Sequence, residues 1–479
     1  MIMKTLFRST ALFTALVLAG CASVGPDYHA PEQAPVTLQG VDAGHQNDAG
    51  FEAQWWKQFG DPTLDTLIAS AAKGSPDLRI AMARLSQARA ALGSAQSQQI
   101  PDIDTAVSYQ RSKAQQPGFT DQRTTVTQYQ AGFDASWELD LFGGIRRSVE
   151  AARAESGAGE ASLQDAQVTL FAEVARNYFD LRGTQLRIDV ARRDITNQQD
   201  SLKVINARVE VGTGAEQDLA SAKARLAAVE AQLPVLETQA QADQFRLAVL
   251  LGARPGELGI DLSPASFKPI DVSLSIGGAD DVLQRRPDIR VAERELAAAN
   301  ARIGVAKAEY FPHVSLGGFI GFLAGRSNDF GGAGSRAWSV APSISWSGLN
   351  VQRVRSGVKG AEARADEARA LYDRTVLTAL EDVDNSLVGF NQQRIRVEKL
   401  VVQATESRRA AQLAKLRYDA GRTDYLELLD AERTQLSAED QLAEAEAAVN
   451  TRAVQLYKAL GGGWQACGDA SCSGVAKAP

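Results

Sequence analysis

The chain has 479 residues, enough for about two or three ordinary domains, and carries a formal net charge of −7. An acidic balance with a sequence pI of about 5.3 provides no basic face, so nucleic acid is excluded as an expected partner. The histidines are isolated in the sequence, and it contains no nucleophile elbow, metal-ligand cluster or phosphate-binding loop. We therefore expect neither an enzyme activity nor a cofactor or metal site.

The first twenty residues have the layout of a secretory signal peptide. Lys4 and Arg8 precede an apolar run that is too short to span a bilayer as a helix. The stretch Leu-Ala-Gly-Cys at 18–21 resembles the lipobox of bacterial lipoproteins, in which the cysteine becomes the lipidated first residue. Ala22 follows where an aspartate would resemble an inner-membrane retention signal. We expect a lipid on Cys21 and an outer-membrane location; an ordinary signal peptide with a chance cysteine is the alternative.

The chain contains two copies of one unit. Segments 75–109 and 286–320 align without a gap at an offset of 211 positions. Further along, Gly212 aligns with Gly421 at an offset of 209 positions. Because such closely matching offsets over this length are hard to obtain by chance, we predict two tandem repeats of roughly 200 residues each.

Within each copy the spacing of hydrophobic residues changes from a helical period to a period of two residues. Apolar and polar side chains alternate over 102–138 in the first copy and over 313–347 in the second. Alternating segments of about ten residues joined by polar loops are typical of transmembrane β-barrel strands. Strands of an ordinary β-sandwich would alternate in the same way, and the pattern alone leaves that alternative open.

A long helical pattern follows each predicted β-hairpin, over about 145–209 and 351–420. At about 1.5 Å per residue such helices would be roughly 100 Å long, which suits a structure that spans the periplasm. Gly212 and Gly421 are then expected to turn the chain into shorter return helices that run to about residues 251 and 460.

Four predicted strands per chain imply an assembly. An open four-stranded sheet cannot sit in lipid, because its edge strands would leave backbone groups without hydrogen-bond partners. Eight strands from a dimer would form a barrel filled by its own side chains, whereas twelve strands from a trimer would form a wider barrel. The residues alone therefore predict an oligomer and leave its order open.

Several stretches together resemble the TolC family of outer membrane factors, and within it the lipoprotein channels of the OprM and NodT type. They are the lipobox, VGPDYHAP after Cys21, QWWKQFGDPTLDTLI, WELDLFGGIRRSVEAARAE, RRPDIRVAERELAAANARIGVAKAEYFP and RYDAGRTDYLELLDAERTQL. The resemblance implies an α+β membrane protein, a homotrimer with a twelve-stranded β-barrel in the outer membrane of a Gram-negative bacterium. It also implies a long α-helical barrel in the periplasm.

The function that this resemblance implies is the exit duct of a tripartite efflux system, which passes small molecules such as drugs to the exterior. The implied partners are a periplasmic adaptor (membrane fusion) protein, an inner-membrane transporter of the RND type, two further copies of the chain and outer-membrane lipid. Two alternatives stay open: a duct for type I protein secretion, and a coiled-coil lipoprotein scaffold without a pore.

Cys467 and Cys472 in the tail could form a local disulfide or stay as free thiols.

The expected domain organisation combines the two repeats with the architecture that the family resemblance implies. The predicted order is a signal peptide (1–20), a lipidated segment that begins the equatorial region (21–74), repeat 1 (75–252, β-hairpin 102–138), an equatorial linker (253–285), repeat 2 (286–461, β-hairpin 313–347) and a C-terminal tail (462–479).

The resemblance also implies a gate at the periplasmic end of the helical barrel. Leu426, Asp430 and Arg433 are spaced i, i+4 and i+7 on the second return helix, with Glu427 beside them. In the family, matching positions form a leucine ring and an acidic ring that close the pore, and Asp430 and Arg433 are candidate partners in closure. The matching region of the first repeat has alanine and lysine, so the gate is expected to rest mainly on the second. A solvated helical charge pattern is the alternative.

A docking site for the adaptor is implied at the two helical turns. Val211, Gly212 and Thr213 resemble the short motif at the family's first helical tip, where adaptor hairpins meet the channel, and Gly421 marks the second tip. Glycine is also the usual residue for ending one helix and turning into the next. The two interpretations are compatible, because a tight glycine turn leaves the backbone accessible to a partner.

Overall fold

The computed structural model describes residues 23–32, 53–116, 120–265, 269–270 and 283–467. The predicted signal peptide, Cys21 and the side chains of Cys467 and Cys472 lie outside this description. The chain forms two compact units. Within the described residues, the sheet unit contains 23–32, 83–160 and 290–374, and the helical unit contains 53–82, 161–289 and 375–467.

The elements of the described chain repeat once in sequence. The helices are α1 (Pro62–Gly74), α2 (Pro76–Ser97), α3 (Gly144–Glu210), α4 (Glu216–Leu251), α5 (Pro287–Ala308), α6 (Val351–Asp419) and α7 (Tyr425–Ala459). The strands are β1 (Asp102–Gln116), β2 (Thr120–Leu139), β3 (His313–Ala324) and β4 (Arg336–Ser345). The order α2, β1, β2, α3, α4 recurs as α5, β3, β4, α6, α7, which confirms the two predicted repeats.

The two longest helices have 67 and 69 residues, α3 and α6 respectively. No helix in the described part of the chain is both long and apolar enough to cross a membrane. Each long helix is followed after a short turn by its return helix, α4 or α7. We refer to α3 with α4 as the first helical hairpin and to α6 with α7 as the second.

The sheet unit is built on an antiparallel sheet in the order β1-β2-β3-β4. Its register pairs Thr105 with Phe133, Phe133 with Ile320, and Ile320 with Trp338. Since directly paired residues project to the same side of a sheet, the apolar positions of all four strands lie on one face. Phe133, Ile320 and Trp338 on this face are exposed. A continuous, exposed apolar face is what a lipid-facing surface requires.

The opposite face of the sheet carries polar and small residues. Asp134 pairs with Asp104 and with Phe319, and Ser315 pairs with Ser343 at a hydroxyl–hydroxyl distance of 2.7 Å. The residues that share this face include Gln128, Gln130, Gly132, Asp134, Ser136, Ser339, Ala341 and Ser343. The predicted apolar-out, polar-in alternation therefore holds for most of the described sheet, with Val126, Phe319 and Leu323 as apolar exceptions on the polar face.

Aromatic side chains lie at both ends of the apolar face. Trp137 donates its indole N–H to the carbonyl oxygen of Gln99 at 3.2 Å, and Trp346 donates to that of Tyr310 at 3.1 Å. A second aromatic group lies at the other end of the strands: Tyr109, Tyr129, Phe322 and Phe330. Tyr129 and Trp137 are eight residues apart on β2, and eight residues of strand extend about 27 Å. Because barrel strands are tilted by about 35–45°, this length corresponds to a height of roughly 20 Å, somewhat less than the apolar band of about 25 Å between two aromatic girdles.

The helical unit has a core of large aromatic side chains around α1. Trp55 is fully buried and stacks on Tyr457 with ring centroids 5.2 Å apart. Trp56 packs edge-on against Phe171 at 5.3 Å. Helix α1 begins where the carboxylate of Asp61 accepts the backbone N–H of Thr63 and of Leu64, an N-cap that fixes the start of the helix. The QWWKQFGDP stretch, which lies at the start of the described helical unit, therefore contributes aromatic side chains to this core.

Candidate functional site at the helical turns

The first helical hairpin turns at Gly212. Its φ is +77°, a left-handed conformation that favours glycine. The Gly212 N–H donates to the Val209 carbonyl at 3.0 Å, and the Thr213 N–H donates to the Arg208 carbonyl at 2.8 Å. These bonds satisfy carbonyls at the end of α3 that have no partner within the helix. Val211, Gly212 and Thr213 are all exposed.

The second helical hairpin turns at Gly421 in the same way. Its φ is +68°, and its N–H donates to the Tyr418 carbonyl at 3.0 Å. Asp424 then caps the start of α7, because its carboxylate accepts the backbone N–H of Glu427 at 3.0 Å. A Cβ atom added at Gly212 or Gly421 would meet nothing within 4 Å, so the outer side of both turns is open.

A buried cluster joins the two hairpins just behind their turns. Tyr418 and Tyr425 are buried, with ring centroids 5.9 Å apart. The guanidinium of Arg208 lies over the Tyr418 ring, 4.4 Å from the centroid. We call this set the turn cluster; its buried members are Ile205, Leu219, Ala222, Ala414, Tyr418, Tyr425 and Leu428. It draws side chains from α3, α4, α6 and α7, so both turns are held by one apolar core.

Leu426, Asp430 and Arg433 lie on the exposed side of α7. Leu426 is 52% exposed although it is apolar, whereas its neighbours Tyr425 and Leu428 are buried in the turn cluster. The side chains of Asp430 and Arg433 are exposed as well, and the described chain holds no ion pair between them. The three residues therefore share a face that no part of the described chain covers.

Glu427 has a different environment from the other residues predicted for the gate. Its Oε1 accepts from Nη1 of Arg417 at 2.7 Å, and its Oε2 accepts from the hydroxyl of Thr423. Arg417 belongs to the last turn of α6, on the other side of the Gly421 turn. The charge of Glu427 is therefore compensated within the chain, and this carboxylate contributes to holding the second turn together.

The sequence of this chain is similar to that of a family of transport proteins. The sequence model of the family described as "Outer membrane efflux protein" matches residues 67–253 and 278–462. These two matched segments contain the two repeats seen in the order of helices and strands. The family match therefore covers both helical hairpins and both β-hairpins.

Individual relatives match over nearly their whole length. The pyoverdine export outer membrane protein OpmQ of Pseudomonas putida is 34% identical over 440 residues, which cover 88% of this chain and 92% of the relative. The solvent efflux pump outer membrane protein SrpC of Pseudomonas putida is 32% identical over 470 residues, covering 96% of this chain and 98% of the relative.

A solved structure agrees with these sequence matches. The outer-membrane channel OprN is 46% identical to this chain and superposes with a TM-score of 0.89, covering 93% of this chain and 100% of the solved one. Sequence and fold thus agree over almost the whole of the chain. The chain belongs to the outer membrane efflux protein family, as its resemblance to the lipoprotein channels of the OprM and NodT type predicted.

Proposed function

We propose that this outer membrane protein is the exit duct of a tripartite efflux system and passes small molecules from a periplasmic pump to the exterior. The observation that carries the proposal is the combination, in one chain, of a sheet with a continuous exposed apolar face and two helical hairpins with very long helices. The sheet face is suited to lipid, and long paired helices are suited to a conduit through an aqueous compartment.

Three copies of the chain complete the duct in this proposal. In the described chain, β1 and β4 are the edge strands of the sheet. In lipid their outer backbone groups need partners, and edge-to-edge pairing between copies supplies them. Twelve strands make a barrel wider than the eight-stranded barrels that side chains fill. Polar and small side chains on the inner face then line a water-filled passage.

The proposed partners are a periplasmic adaptor protein and an inner-membrane transporter of the RND type. The adaptor docks at the helical turns, where Val211 is 73% exposed although it is apolar. Gly212, Thr213 and Gly421 leave the backbone around it open to close approach. The relatives named above serve pyoverdine export and solvent efflux. We propose small organic molecules as the substrate class here.

The proposed periplasmic gate is the exposed face of α7. Around a threefold axis, three copies of Leu426 form an apolar constriction and three copies of Asp430 form a ring of carboxylates, which attracts cations and repels anions. Arg433 is one helical turn from Asp430 and supplies a cation that can reach Asp430 of a neighbouring copy. Glu427 adds less charge to the ring, since Arg417 compensates it.

A lipid on Cys21 is the proposed second membrane anchor. The described chain begins two residues after this cysteine, and there the Val24 N–H donates to the Phe142 carbonyl at 3.1 Å. Phe142 stacks on Phe311 at a centroid distance of 4.6 Å, close in sequence to Trp137 at the aromatic end of the sheet. A lipid attached here would enter the membrane beside the aromatic girdle.

The experiment that tests the proposed function is single-channel recording of the purified full-length protein in planar bilayers, together with its migration as a heat-modifiable trimer. We expect stable, cation-selective conductance from the trimer. A monomer that conducts nothing would support the scaffold alternative instead. A deletion strain that becomes sensitive to small antibiotics or solvents, with its secreted proteins unchanged, distinguishes efflux from protein secretion.

A further inference from the structure

A buried polar group lies between the first and second helical hairpins, behind the turn cluster. Gln198 of α3 is 1% exposed, and its Nε2 donates to Asp194 Oδ1 at 3.3 Å and to Glu432 Oε2 at 3.0 Å. Asp194 belongs to α3 and Glu432 to α7, two residues beyond Asp430. One amide group thus bridges two carboxylates across the junction of the hairpins.

The hydrogen-bonding groups at this junction are not balanced. The Oε1 atom of Gln198 is buried without a donor, and so the amide that serves two carboxylates has an unused acceptor. Arg225 of α4 approaches Asp194 at 3.4 Å through Nη2, while its own Nε is buried without an acceptor. A buried polar atom without a partner costs about 1–3 kcal/mol. The junction therefore leaves one acceptor, on Gln198, and one donor, on Arg225, without a hydrogen bond.

A single added proton would provide a donor for the unpaired Gln198 oxygen. A protonated carboxyl group is a donor as well as an acceptor. If Asp194 or Glu432 is protonated, rotation of the Gln198 amide lets its oxygen accept from that carboxyl group while its NH₂ donates to the other carboxylate. A crevice of about 500 Å³ beside Asp194 and Glu432 gives water access to the junction.

The groups around Asp194 and Glu432 shift the pKa values of these two carboxyl groups in opposite directions, some raising and some lowering them. Burial raises the pKa of Glu432, and the charge of Asp194 adds to this, against the influence of Gln198, Lys415 and Arg225. Burial also raises the pKa of Asp194, against Arg225 and Gln198. The titratable and charged groups that face the pair or line its crevice come from all four helices: Arg193 (α3), Arg225 (α4), Arg408 and Lys415 (α6), and Tyr425 and Glu439 (α7).

We propose that Asp194, Gln198 and Glu432 form a binding site for one proton, and that proton uptake there tightens the junction between α3 and α7. The coupling of this site to the gate rests on the proposed function, because Glu432 lies on the same helix as Leu426 and Asp430. The proton-bound junction holds α7 against α3 and keeps the gate face in its closed position. Release of the proton leaves the buried carboxylate of Asp194 and the half-buried carboxylate of Glu432 both charged on one amide, and it loosens α7.

The sign of the pH dependence follows from the raised pKa values. A buried carboxyl group with a raised pKa favours the packed junction most when it is neutral. The junction therefore gains stability as the pH falls through that raised pKa toward the ordinary carboxyl value, and it loses stability as the pH rises above the raised pKa. We expect a tighter junction at pH 4.5, the ordinary pKa of a glutamate carboxyl group, than at pH 7.5.

Hydrogen exchange measured by mass spectrometry on the full-length protein in detergent tests the proton site without recording any conductance. Exchange times are scaled for the intrinsic pH dependence of amide exchange. In the wild type, peptides of α7 around Glu432 are expected to be better protected at pH 4.5 than at pH 7.5. Glu432→Gln keeps the shape and is permanently neutral, so its protection is expected to be the same at both pH values. Asp194→Asn is the second variant if the first does not fold.

Glu446→Gln is the matched control, because Glu446 is on α7 and burial raises its pKa too, yet no other charge contributes to that shift. This control is expected to retain the pH dependence of the wild type around Glu432. If Glu432→Gln and Asp194→Asn also retain it, the proton site is overturned. Planar-bilayer recordings at the two pH values separate this result from the duct itself. A protein that shows the exchange pattern and conducts nothing has the proton site and lacks the proposed function.

Discussion

Arg208 of the first helical hairpin lies over the aromatic ring of Tyr418 of the second, with the guanidinium carbon 4.4 Å from the ring centroid. Nη2 of Arg208 also approaches the carbonyl oxygen of Tyr418 at 3.5 Å. Tyr418 in turn contacts Tyr425, so one cation is linked to the buried ring pair of the turn cluster. This contact connects the end of α3 with the end of α6, the two places where the repeats reverse direction.

Arg208→Ala should loosen the two turns from each other. The variant loses a cation–π contact, which contributes about 0.5–1 kcal/mol at a partly exposed site. We expect more frequent opening events in planar bilayers, with the trimer intact on gels. Arg394→Ala is the control, because Arg394 lies over Phe390 at 5.9 Å within the single helix α6. Equal opening frequencies in the two variants would contradict a role for Arg208 in holding the turns.

Asp430→Ala should raise single-channel conductance and lower cation selectivity, and Asp430→Ala combined with Arg433→Ala should do so more strongly. The physical reason is the loss of a carboxylate ring and of contacts between copies on the exposed face of α7. Cells should become sensitive to large antibiotics that the closed gate excludes. Unchanged conductance in both variants would refute the gate.

The double variant Glu427→Gln with Arg417→Gln provides the matched comparison for the acidic ring. Glu427 and Arg417 form an ion pair at 2.7 Å, so replacing both side chains removes one charge of each sign and leaves the net charge of the passage unchanged. The reversal potential of this double variant in a salt gradient should therefore stay close to that of the wild type, whereas the reversal potential of Asp430→Asn should shift toward zero. A larger shift in the double variant than in Asp430→Asn would mean that Glu427 faces the passage.

The fold of the single chain was predictable because its signals are local or repeat exactly along the chain. Alternation of polar and apolar residues identified both β-hairpins, and the offset between Gly212 and Gly421 located both turns. The hairpin predicted at 102–138 spans Asp102–Leu139, and the helix predicted at 145–209 spans Gly144–Glu210. Local periodicity carries such information, since the backbone hydrogen bonds of a helix or hairpin join nearby residues.

The environment of the site residues was less accessible from the sequence. Arg417 and Glu427 lie on different helices, on either side of the Gly421 turn, so helical spacing does not reveal their ion pair. The sequence predicts Glu427 only as a neighbour of the gate face. Nothing in the sequence distinguishes Tyr418 from other residues near a helix end. Its burial depends on packing against side chains of α3 and α7. Glu432 has the sequence pattern of a solvated helix face. Its contact with Gln198 joins segments 234 residues apart.

Arg286→Ala should destabilise the helical unit more than any exposed arginine would. Arg286 is buried and donates through Nη1 to the carbonyl oxygens of Ala379 and Ala459, at 3.3 and 2.9 Å, and through Nε and Nη2 to Asp288. Its loss leaves buried carbonyl acceptors unpaired, which costs about 1–3 kcal/mol. Thermal unfolding followed by circular dichroism checks this, with the exposed Arg396→Ala as control. A loss as small as that of Arg396→Ala would show that water replaces the guanidinium.

Cys21→Ser should abolish acylation and leave the trimer and its conductance intact. The segment after the cysteine is held by the protein itself, because the guanidinium of Arg147 donates to the Val24 carbonyl at 3.1 Å and to Asp27 at 2.8 Å. Arg147 is 4% exposed, so its bond to the Val24 carbonyl is shielded from water, whereas the Asp27 carboxylate is exposed. The sheet and this segment therefore do not need the lipid in order to stay in place.

Labelling with radioactive palmitate measures the acylation, and gel migration measures the trimer. Arg147→Ala is the complementary variant: it should keep the label and make the segment that contains Val24 and Asp27 sensitive to protease added to the purified protein. Retained label in Cys21→Ser would contradict the lipobox. Loss of the trimer in Cys21→Ser, with Arg147→Ala unaffected by protease, would mean that the lipid and not Arg147 holds the N-terminal segment against the sheet unit.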